Sequence, residues 1–123
     1  MRLLLDTELL LWALGARKLP KEAKRLIKAS QVFVSAVSIW EVAVKASLAE
    51  LGFSAELVRE AIEPSGFEEL SITAAHAAAV ERLPWHHRDP FDRLLVAQAT
   101  VEPLILLTTD AALTPYGPLV RVL

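Results

Sequence analysis

The chain has 123 residues, a length that predicts one domain with a single hydrophobic core. Hydrophobic residues make up 54% of it and charged residues 23%, which excludes an intrinsically disordered chain. There are no cysteines and the formal net charge is −2, so disulfides, thiolate metal sites, cysteine nucleophiles and a uniformly basic surface for nucleic acid are excluded.

The sequence contains no segment with the pattern of a membrane-spanning helix or of a secretory signal. The longest uninterrupted apolar run, residues 9–14, is far too short to span a bilayer. Asp6 and Glu8 interrupt a leucine-rich start that would otherwise resemble a secretory signal. We therefore expect a cytoplasmic protein without membrane association.

Strands and helices alternate in the first half of the chain. Residues 2–5 and 31–35 are short apolar or β-branched runs, which predict buried strands. Short helices are predicted at 7–14 and 21–29. A longer helix is predicted to begin at Ser38.

Two signals predict this longer helix. Ser38 and Glu41 have the spacing of a capping box, in which each side chain bonds the other residue's backbone. Its apolar face is predicted from four residues at helical spacing: Trp40, Val44, Leu48 and Leu51. Gly52 is the predicted end of the helix.

The alternation continues in the second half. Helices are predicted at 55–63, capped by Ser54, at 74–83, begun by Thr73, and at 90–101, capped by Asp89. Strands are predicted at 67–72, 104–108 and 120–122. Strands that alternate with helices indicate a mostly parallel sheet with helices on both faces, so we expect a three-layer α/β/α domain.

Four acidic residues fall where this topology brings distant segments together. Asp6 ends the first strand and Asp110 follows the fourth, while Glu41 and Asp92 lie in the first turns of helices. The carboxyl ends of parallel strands and the first turns of the returning helices share one edge of the sheet. Because clustered carboxylates repel one another, a divalent cation that prefers oxygen ligands would stabilise them. Such a site predicts metal-dependent hydrolysis of a phosphodiester.

Each acid except the first also has a local structural alternative. Glu41 fits a capping box, Asp92 is a favourable first-turn acid, and Asp110 fits a turn or cap. Asp6 has no evident local role in the sequence. Capping and metal binding are compatible, so both interpretations stay open.

The sequence gives less support to other kinds of functional site. The four glycines are isolated from one another, which excludes glycine-rich phosphate loops. His86 and His87 are adjacent in a loop without a third nitrogen ligand nearby, which argues against zinc. A phosphatase of another doubly wound fold would need an Asp-x-Asp motif after the first strand, and the segment 6–8, Asp-Thr-Glu, matches it poorly.

Four segments together resemble the PIN domain, and more narrowly the VapC-type toxins of type II toxin–antitoxin pairs. They are LLLDT (3–7), VSAVSIWEVAVK (34–45), LPWHHRDPFDRLLVAQA (83–99) and LLTTD (106–110). The match covers almost the entire chain in the expected order. The resemblance implies a five-stranded parallel sheet of order 3-2-1-4-5 and endoribonuclease activity that depends on Mg²⁺ or Mn²⁺.

The resemblance also assigns roles to residues. The family's four acidic positions, which bind metal and catalyse the reaction, fall here on Asp6, Glu41, Asp92 and Asp110. Three hydroxyl residues are expected to support these acids: Thr7, Ser38 and Thr108. Relatives often carry His two residues after the first acid, where this chain has Glu8, so a fifth carboxylate lies near the expected metal.

RNA requires positive charge around an acidic centre. Arg88, Lys45 and His87 are expected near the rim. Arg93 is expected there too, either in contact with the scissile phosphate or in an inward salt bridge. A further set at helical spacing either tracks phosphates or forms a solvated face: Arg17, Lys21, Lys24 and Lys28.

The resemblance implies two protein partners. One is a small VapB-like antitoxin whose tail enters the active-site groove. The other is a second copy of the chain, with apolar surface around 9–14 and 48–57 as the expected contact. The alternative to the toxin nuclease is a catalytically degenerate PIN module that binds a partner or RNA without cutting it.

Overall fold

The computed structural model describes residues 1–48 and 54–123. In chain order its elements are β1 (Arg2–Leu5), α1 (Thr7–Ala13), α2 (Lys21–Lys28), β2 (Gln31–Ser35), α3 (Ala36–Ser47), α4 (Ala55–Ala61), β3 (Glu68–Leu70), α5 (Ala74–Ala79), α6 (Pro90–Val101), β4 (Ile105–Thr108) and β5 (Val120–Val122). Two short 3₁₀ helices, η1 (Val80–Arg82) and η2 (Ala111–Tyr116), complete them.

The five strands form one parallel sheet of order β3-β2-β1-β4-β5, which confirms the predicted topology. The central strand β1 pairs with β2 on one side and β4 on the other, with Leu4 opposite Phe33 and Leu106. Leu3, Leu4 and Leu5 are fully buried. A strand covered on both faces needs an uninterrupted apolar run, which is why β1 shows no alternation of polar residues.

The leucines of β1 point into two separate cores, one on each face of the sheet. Leu3 and Leu5 pack with residues of α1, α2 and α4, such as Leu9 and Leu26. Leu4 packs on the other face with residues of α6, such as Leu95. Helices therefore cover both faces, and the predicted three-layer α/β/α architecture is confirmed.

The predicted start and apolar face of α3 are wrong. The helix begins at Ala36 directly after β2, and the Ser35 hydroxyl accepts the cap bond from the Val37 backbone N–H at 2.9 Å. Ser38 is therefore inside the helix and does not cap it. Two predicted core residues, Trp40 and Leu48, are 50% and 62% exposed.

The face of α3 turned inward carries polar as well as apolar residues: Val37, Ser38, Glu41 and Val42. The apolar spacing was misleading because this helix turns its polar residues towards a cavity at the sheet edge. Leu51 and Gly52, which were predicted to complete the helix, lie outside the described residues.

Three other predicted elements are shorter than expected. β3 spans three residues at the edge of the sheet, and the helix predicted at 74–83 is α5 followed by η1. The helix predicted at 55–63 ends at Ala61. None of the helices within residues 1–48 and 54–123 has the length and apolar character needed to cross a membrane.

Candidate metal centre

All four predicted acids line one cavity of about 480 Å³ at the carboxyl edge of the sheet. Asp6 follows β1 directly, and Asp110 lies two residues after the end of β4. Glu41 lies on α3, and Asp92 lies in the first turn of α6. The topology therefore brings together four carboxylates from segments that are far apart in sequence.

Asp6 has a local structural role that the sequence did not reveal. It is the N-cap of α1, and its Oδ1 accepts the Leu9 backbone N–H at 2.8 Å. Its Oδ2 accepts the Thr108 hydroxyl at 2.5 Å. Both carboxylate oxygens of this 6%-exposed residue are thus fixed in position by the protein.

Thr108 connects two of the acids. Its buried hydroxyl donates to Asp6 and accepts the backbone N–H of Asp110 at 3.0 Å. The same side chain therefore sets the distance between the end of β1 and the end of β4. Thr7 and Ser38 lie beside the cavity, where the Thr7 hydroxyl donates to the Ser38 hydroxyl at 2.9 Å.

Glu41 is buried with one carboxylate oxygen satisfied and the other not. Its Oε2 accepts the Lys45 Nζ at 2.8 Å across one turn of α3. Its buried Oε1 has no hydrogen-bond donor among the described residues. A buried carboxylate oxygen without a partner is energetically costly, so this atom indicates a missing positive or hydrogen-bonding group.

His87, Asp92 and Asp110 form the tightest group of potential ligands. The His87 Nε2 lies 2.9 Å from the Asp92 Oδ2 and 3.9 Å from the Asp110 Oδ2. One ligand atom from each of the three residues lies within 4.8 Å of the others. Of the two adjacent histidines, only His87 belongs to this group.

Burial and like charge raise the pKa of two of these acids. Burial is the main cause for Asp6 and raises its pKa from 3.8 to about 6, although the bonds from Thr108 and Leu9 oppose it. Burial is also the main cause for Asp92, where the nearby Asp89 adds to it and raises the pKa to about 6. The cavity thus resists the accumulation of negative charge in the absence of a cation.

A hard divalent cation fits the residues that are present. The donors are mainly carboxylate oxygens, which suit Mg²⁺ or Mn²⁺, while the His87 ring nitrogen is hydrogen-bonded to the Asp92 carboxylate. The unpartnered oxygen of Glu41 and the two acids that resist ionisation would both be relieved by a positive ion at this place. The acids are therefore arranged for metal binding as well as for capping, since Asp110 also caps η2 and Asp6 caps α1.

The prediction that Arg93 contacts phosphate or an acid is wrong. Arg93 is 3% exposed, and its guanidinium donates to the carbonyls of Val80, Leu83 and Pro84 and to the Tyr116 hydroxyl. It points inward as one alternative held, but it contacts backbone oxygens and a phenol rather than a carboxylate. Its donors are occupied, because helix α6 and the loop before it fold around it.

The other expected cations take different positions. Lys45 lines the cavity and pairs with Glu41, and Arg17 lines it while stacking on Trp12 at 5.1 Å. Arg88 is exposed and does not line the cavity. Glu8 lies at the cavity rim, where its Oε1 accepts the Thr109 hydroxyl at 3.1 Å.

Sequence reasoning assigned no site role to Asp89, which the structure places at the cavity. Its Oδ1 accepts the backbone N–H groups of Phe91 and Asp92, so it fixes the first turn of α6. The capping signal of an Asp before a Pro was recognised, but nothing in that signal shows that the cap also adds negative charge to the site.

Comparisons with known proteins agree with this fold. The PIN domain model matches residues 3–116. No match was found among curated protein sequences. Similar solved structures include VapBC2 from Rickettsia felis bound to a fragment of promoter DNA, with a TM-score of 0.69, 17% identity and coverage of 99% of this chain and 97% of that one.

Two further solved structures are similar over nearly their whole length. A toxin–antitoxin complex from Klebsiella pneumoniae has a TM-score of 0.66 and 23% identity, with coverage of 97% of this chain and 95% of that one. FitAcB from Neisseria gonorrhoeae has a TM-score of 0.64 and 20% identity, with coverage of 93% and 91%. At these identities the likeness establishes the fold.

Proposed function

Because the chain belongs to the PIN domain family, we propose that it is an endoribonuclease dependent on Mg²⁺ or Mn²⁺ and acts as the toxin of a type II toxin–antitoxin pair. The observation that carries the proposal is the cavity lined by Asp6, Glu41, Asp92 and Asp110, in which one buried oxygen of Glu41 has no donor among the described residues. These four acids are the proposed metal ligands.

A bound divalent ion would acidify a water molecule and offset charge on the scissile phosphate. The chain's own residues prepare this chemistry. Thr108 fixes the Asp6 carboxylate, Lys45 fixes the Glu41 carboxylate, and His87 holds the Asp92 carboxylate at 2.9 Å. In the hydrolysis, the oxygen of the water molecule forms a bond to phosphorus as the water gives up a proton. The bond between phosphorus and the leaving ribose oxygen breaks, and the leaving oxygen takes up a proton.

The toxin assignment is supported by the solved complexes that share this fold. Two of them are described as a toxin–antitoxin complex and as VapBC2 bound to promoter DNA. On that basis we propose a VapB-like antitoxin as the protein partner and cytoplasmic RNA as the substrate. Expression of the chain should arrest growth, and co-expression with the cognate antitoxin should restore it.

We also propose a homodimer, with a smaller contact surface than the sequence indicated. Leu9, Leu10 and Leu11 are core residues and cannot contribute to it. Leu48 and Leu57 are 62% and 66% exposed and remain as contact residues, and residues 49–53 between them lie outside the described part of the chain. Light scattering should show a dimer for the wild type and a monomer for Leu57→Glu.

Cleavage of labelled single-stranded RNA by the purified protein tests the activity. Cleavage should require Mg²⁺ or Mn²⁺, cease with a chelator, and fall by orders of magnitude in Asp92→Asn, which keeps the size of the side chain and removes its charge. Glu56→Gln is the matched control, because this acid pairs with Arg59 on the surface of α4, away from the cavity. Full activity of Asp92→Asn would contradict the proposal.

A further inference from the structure

Trp85 is an exposed aromatic residue whose two faces have different environments. The indole is 78% exposed in the loop between η1 and α6. One face lies against the Arg93 guanidinium, with the Cζ atom 3.9 Å from the ring centroid. A cation stacked at this distance stabilises the ring in one orientation, so the other face remains available to solvent.

The guanidinium beneath Trp85 is held rigidly. Arg93 donates to the Pro84 carbonyl at 2.9 Å, to the Tyr116 hydroxyl at 3.1 Å and to the Val80 carbonyl at 3.2 Å. The side chain is buried, and these acceptors come from three separate parts of the chain. Trp85 therefore lies on a fixed support, which lowers the entropy lost when a ligand stacks on it.

The support of Trp85 is built from the same elements that position two acids of the cavity. Arg93 directly follows Asp92 in α6, and Tyr116 ends the η2 helix that Asp110 caps. Trp85 itself is two residues before His87, which bonds Asp92. At no more than about 3.6 Å per residue, the backbones at 85 and 87 are within about 7 Å of each other, so Trp85 lies on the same loop as His87, just outside the lining of the cavity.

The surroundings of Trp85 are those of a nucleobase site rather than of an apolar protein contact. Its exposed neighbours are His86, which packs edge-on against Tyr116 at 5.1 Å, and Arg88. An aromatic face beside imidazole and guanidinium groups suits the stacking of bases and the binding of phosphates. The positive charge of Arg88 also offsets the repulsion between RNA and the acidic cavity.

We propose that the outer face of Trp85 stacks on an unpaired base of the RNA next to the cleaved phosphodiester. This inference rests on the proposed nuclease function and adds to it a binding residue outside the acidic cavity. Bases within a duplex are stacked on their neighbours and cannot offer a free face. Duplex RNA of the same sequence should therefore bind more weakly and be cut more slowly.

Binding of a labelled single-stranded oligoribonucleotide tests the stacking. It is measured in the Asp92→Asn background with a chelator present, so that no cleavage occurs. Trp85→Leu keeps apolar bulk but removes the ring, and should weaken binding at least about 5-fold, the lower value for loss of one base–aromatic stack. Trp85→Phe should recover most of the affinity.

The matched control is Trp40→Leu, the same substitution at an indole that is 50% exposed and packs edge-on against Phe91 at 4.7 Å. It should leave RNA affinity unchanged. Equal affinity of the wild-type and Trp85→Leu proteins would overturn the inference. A shift in oligomeric state or loss of antitoxin binding in Trp85→Leu at unchanged RNA affinity would overturn it too, since Trp85 would then be a protein contact.

A scan with abasic nucleotides provides a second test that needs no change in the protein. Removal of one base at a time should reveal a single position beside the cleavage site. Loss of the base at that position should weaken binding at least about 5-fold in the protein that retains Trp85, and should leave binding to the Trp85→Leu protein unchanged. Uniform sensitivity would overturn the inference. If the wild type cuts no RNA with Mn²⁺, that result contradicts the proposed nuclease function rather than the stacking on Trp85. The two proposals can therefore be refuted separately.

Discussion

The Asp6 carboxylate makes structural hydrogen bonds, but its negative charge is disfavoured by burial. Its carboxylate caps α1 and accepts the Thr108 hydroxyl, yet burial raises its pKa to about 6. Asn is as good an N-cap as Asp, and it carries no charge. Asp6→Asn should therefore abolish RNA cleavage while the melting temperature of the metal-free protein holds or rises.

Asp6→Ala separates the cap from the charge. It removes the acceptor for the Leu9 backbone N–H, which should cost about 1 kcal/mol in the free energy of unfolding. Urea unfolding of both variants without metal measures the difference. An Asp6→Asn protein that is destabilised and still cleaves RNA at the wild-type rate would refute the metal-ligand role.

Thr108 should be important for both stability and metal affinity. Thr108→Val keeps the shape but leaves the Asp6 Oδ2 and the Asp110 backbone N–H without their partner, at a cost of about 1–3 kcal/mol. Mn²⁺ binding should also weaken, because the two acids lose their common hydroxyl. Calorimetric titration and urea unfolding measure the two effects.

Thr109→Val is the matched control for Thr108→Val. Its hydroxyl donates to Glu8 at an exposed position, so its loss should change the free energy of unfolding by less than about 0.5 kcal/mol. Equal effects of the two substitutions would show that the bridge between Asp6 and Asp110 has no special importance.

Asp6, Asp92 and Asp110 were predictable from the sequence because each lies at a strand end or a helix start that a short pattern reveals. Glu41 lies in the second turn of α3 and not in the first turn as predicted, because the helix begins at Ala36. Arg93 was not predictable, because its acceptors are backbone carbonyls at 80–84 and the hydroxyl of Tyr116. Backbone carbonyls are present at every residue, so no sequence pattern indicates which of them a buried guanidinium will find.

At the scale of elements, Arg93 joins α6 to η1, to the loop before α6 and to η2. Arg93→Lys replaces a planar group with several donors by a single ammonium, which cannot reach Val80, Pro84 and Tyr116 together. We expect a loss of about 1–3 kcal/mol in the free energy of unfolding, because partly buried carbonyls at 80–84 lose their donors.

Arg59→Lys provides the comparison for Arg93→Lys in the same urea experiment. Arg59 forms an exposed ion pair with Glu56 on α4, so its replacement should cost less than about 0.5 kcal/mol. If Arg93→Lys is as stable as the wild type, the hydrogen bonds of Arg93 do not stabilise the packing of α6 against η1 and η2.

Strands were predicted better than the start of α3. The leucine run of β1 is short and lies between polar residues, which is typical of a strand buried on both faces. In α3 the apolar residues and the inward face do not coincide, because Glu41 faces the cavity and Ser38 is buried against Thr7, while Trp40 is half exposed. Periodicity finds the inward face only where that face is apolar.

At the scale of the whole molecule, the raised pKa values of Asp6 and Asp92 predict how stability depends on pH. Both rise from 3.8 in the unfolded chain to about 6 in the folded one. Between these values the folded state binds more protons, so the free energy of unfolding should fall as pH rises from about 4 to about 6. The titratable side chains of Glu8, Glu41, Asp89 and His87 face the same two groups.

Mn²⁺ should reverse this loss of stability. Above pH 6 the acids are ionised and the ion binds without displacing protons, so the rise in melting temperature should be larger at about pH 7.5 than at about pH 5. The double variant Asp6→Asn, Asp92→Asn should show neither effect. An equal rise at both pH values in the wild type would contradict ligation by these acids.

The position of β1 in the sheet has a consequence for synthesis on the ribosome. β1 pairs with β4, and Thr108 follows the acid that it bonds, Asp6, by 102 residues. The centre of the sheet therefore cannot close, and the four acids cannot meet, until β4 has left the exit tunnel. For most of its translation the nascent chain therefore lacks the acidic cavity, and its apolar β1 segment stays open to chaperones in that interval.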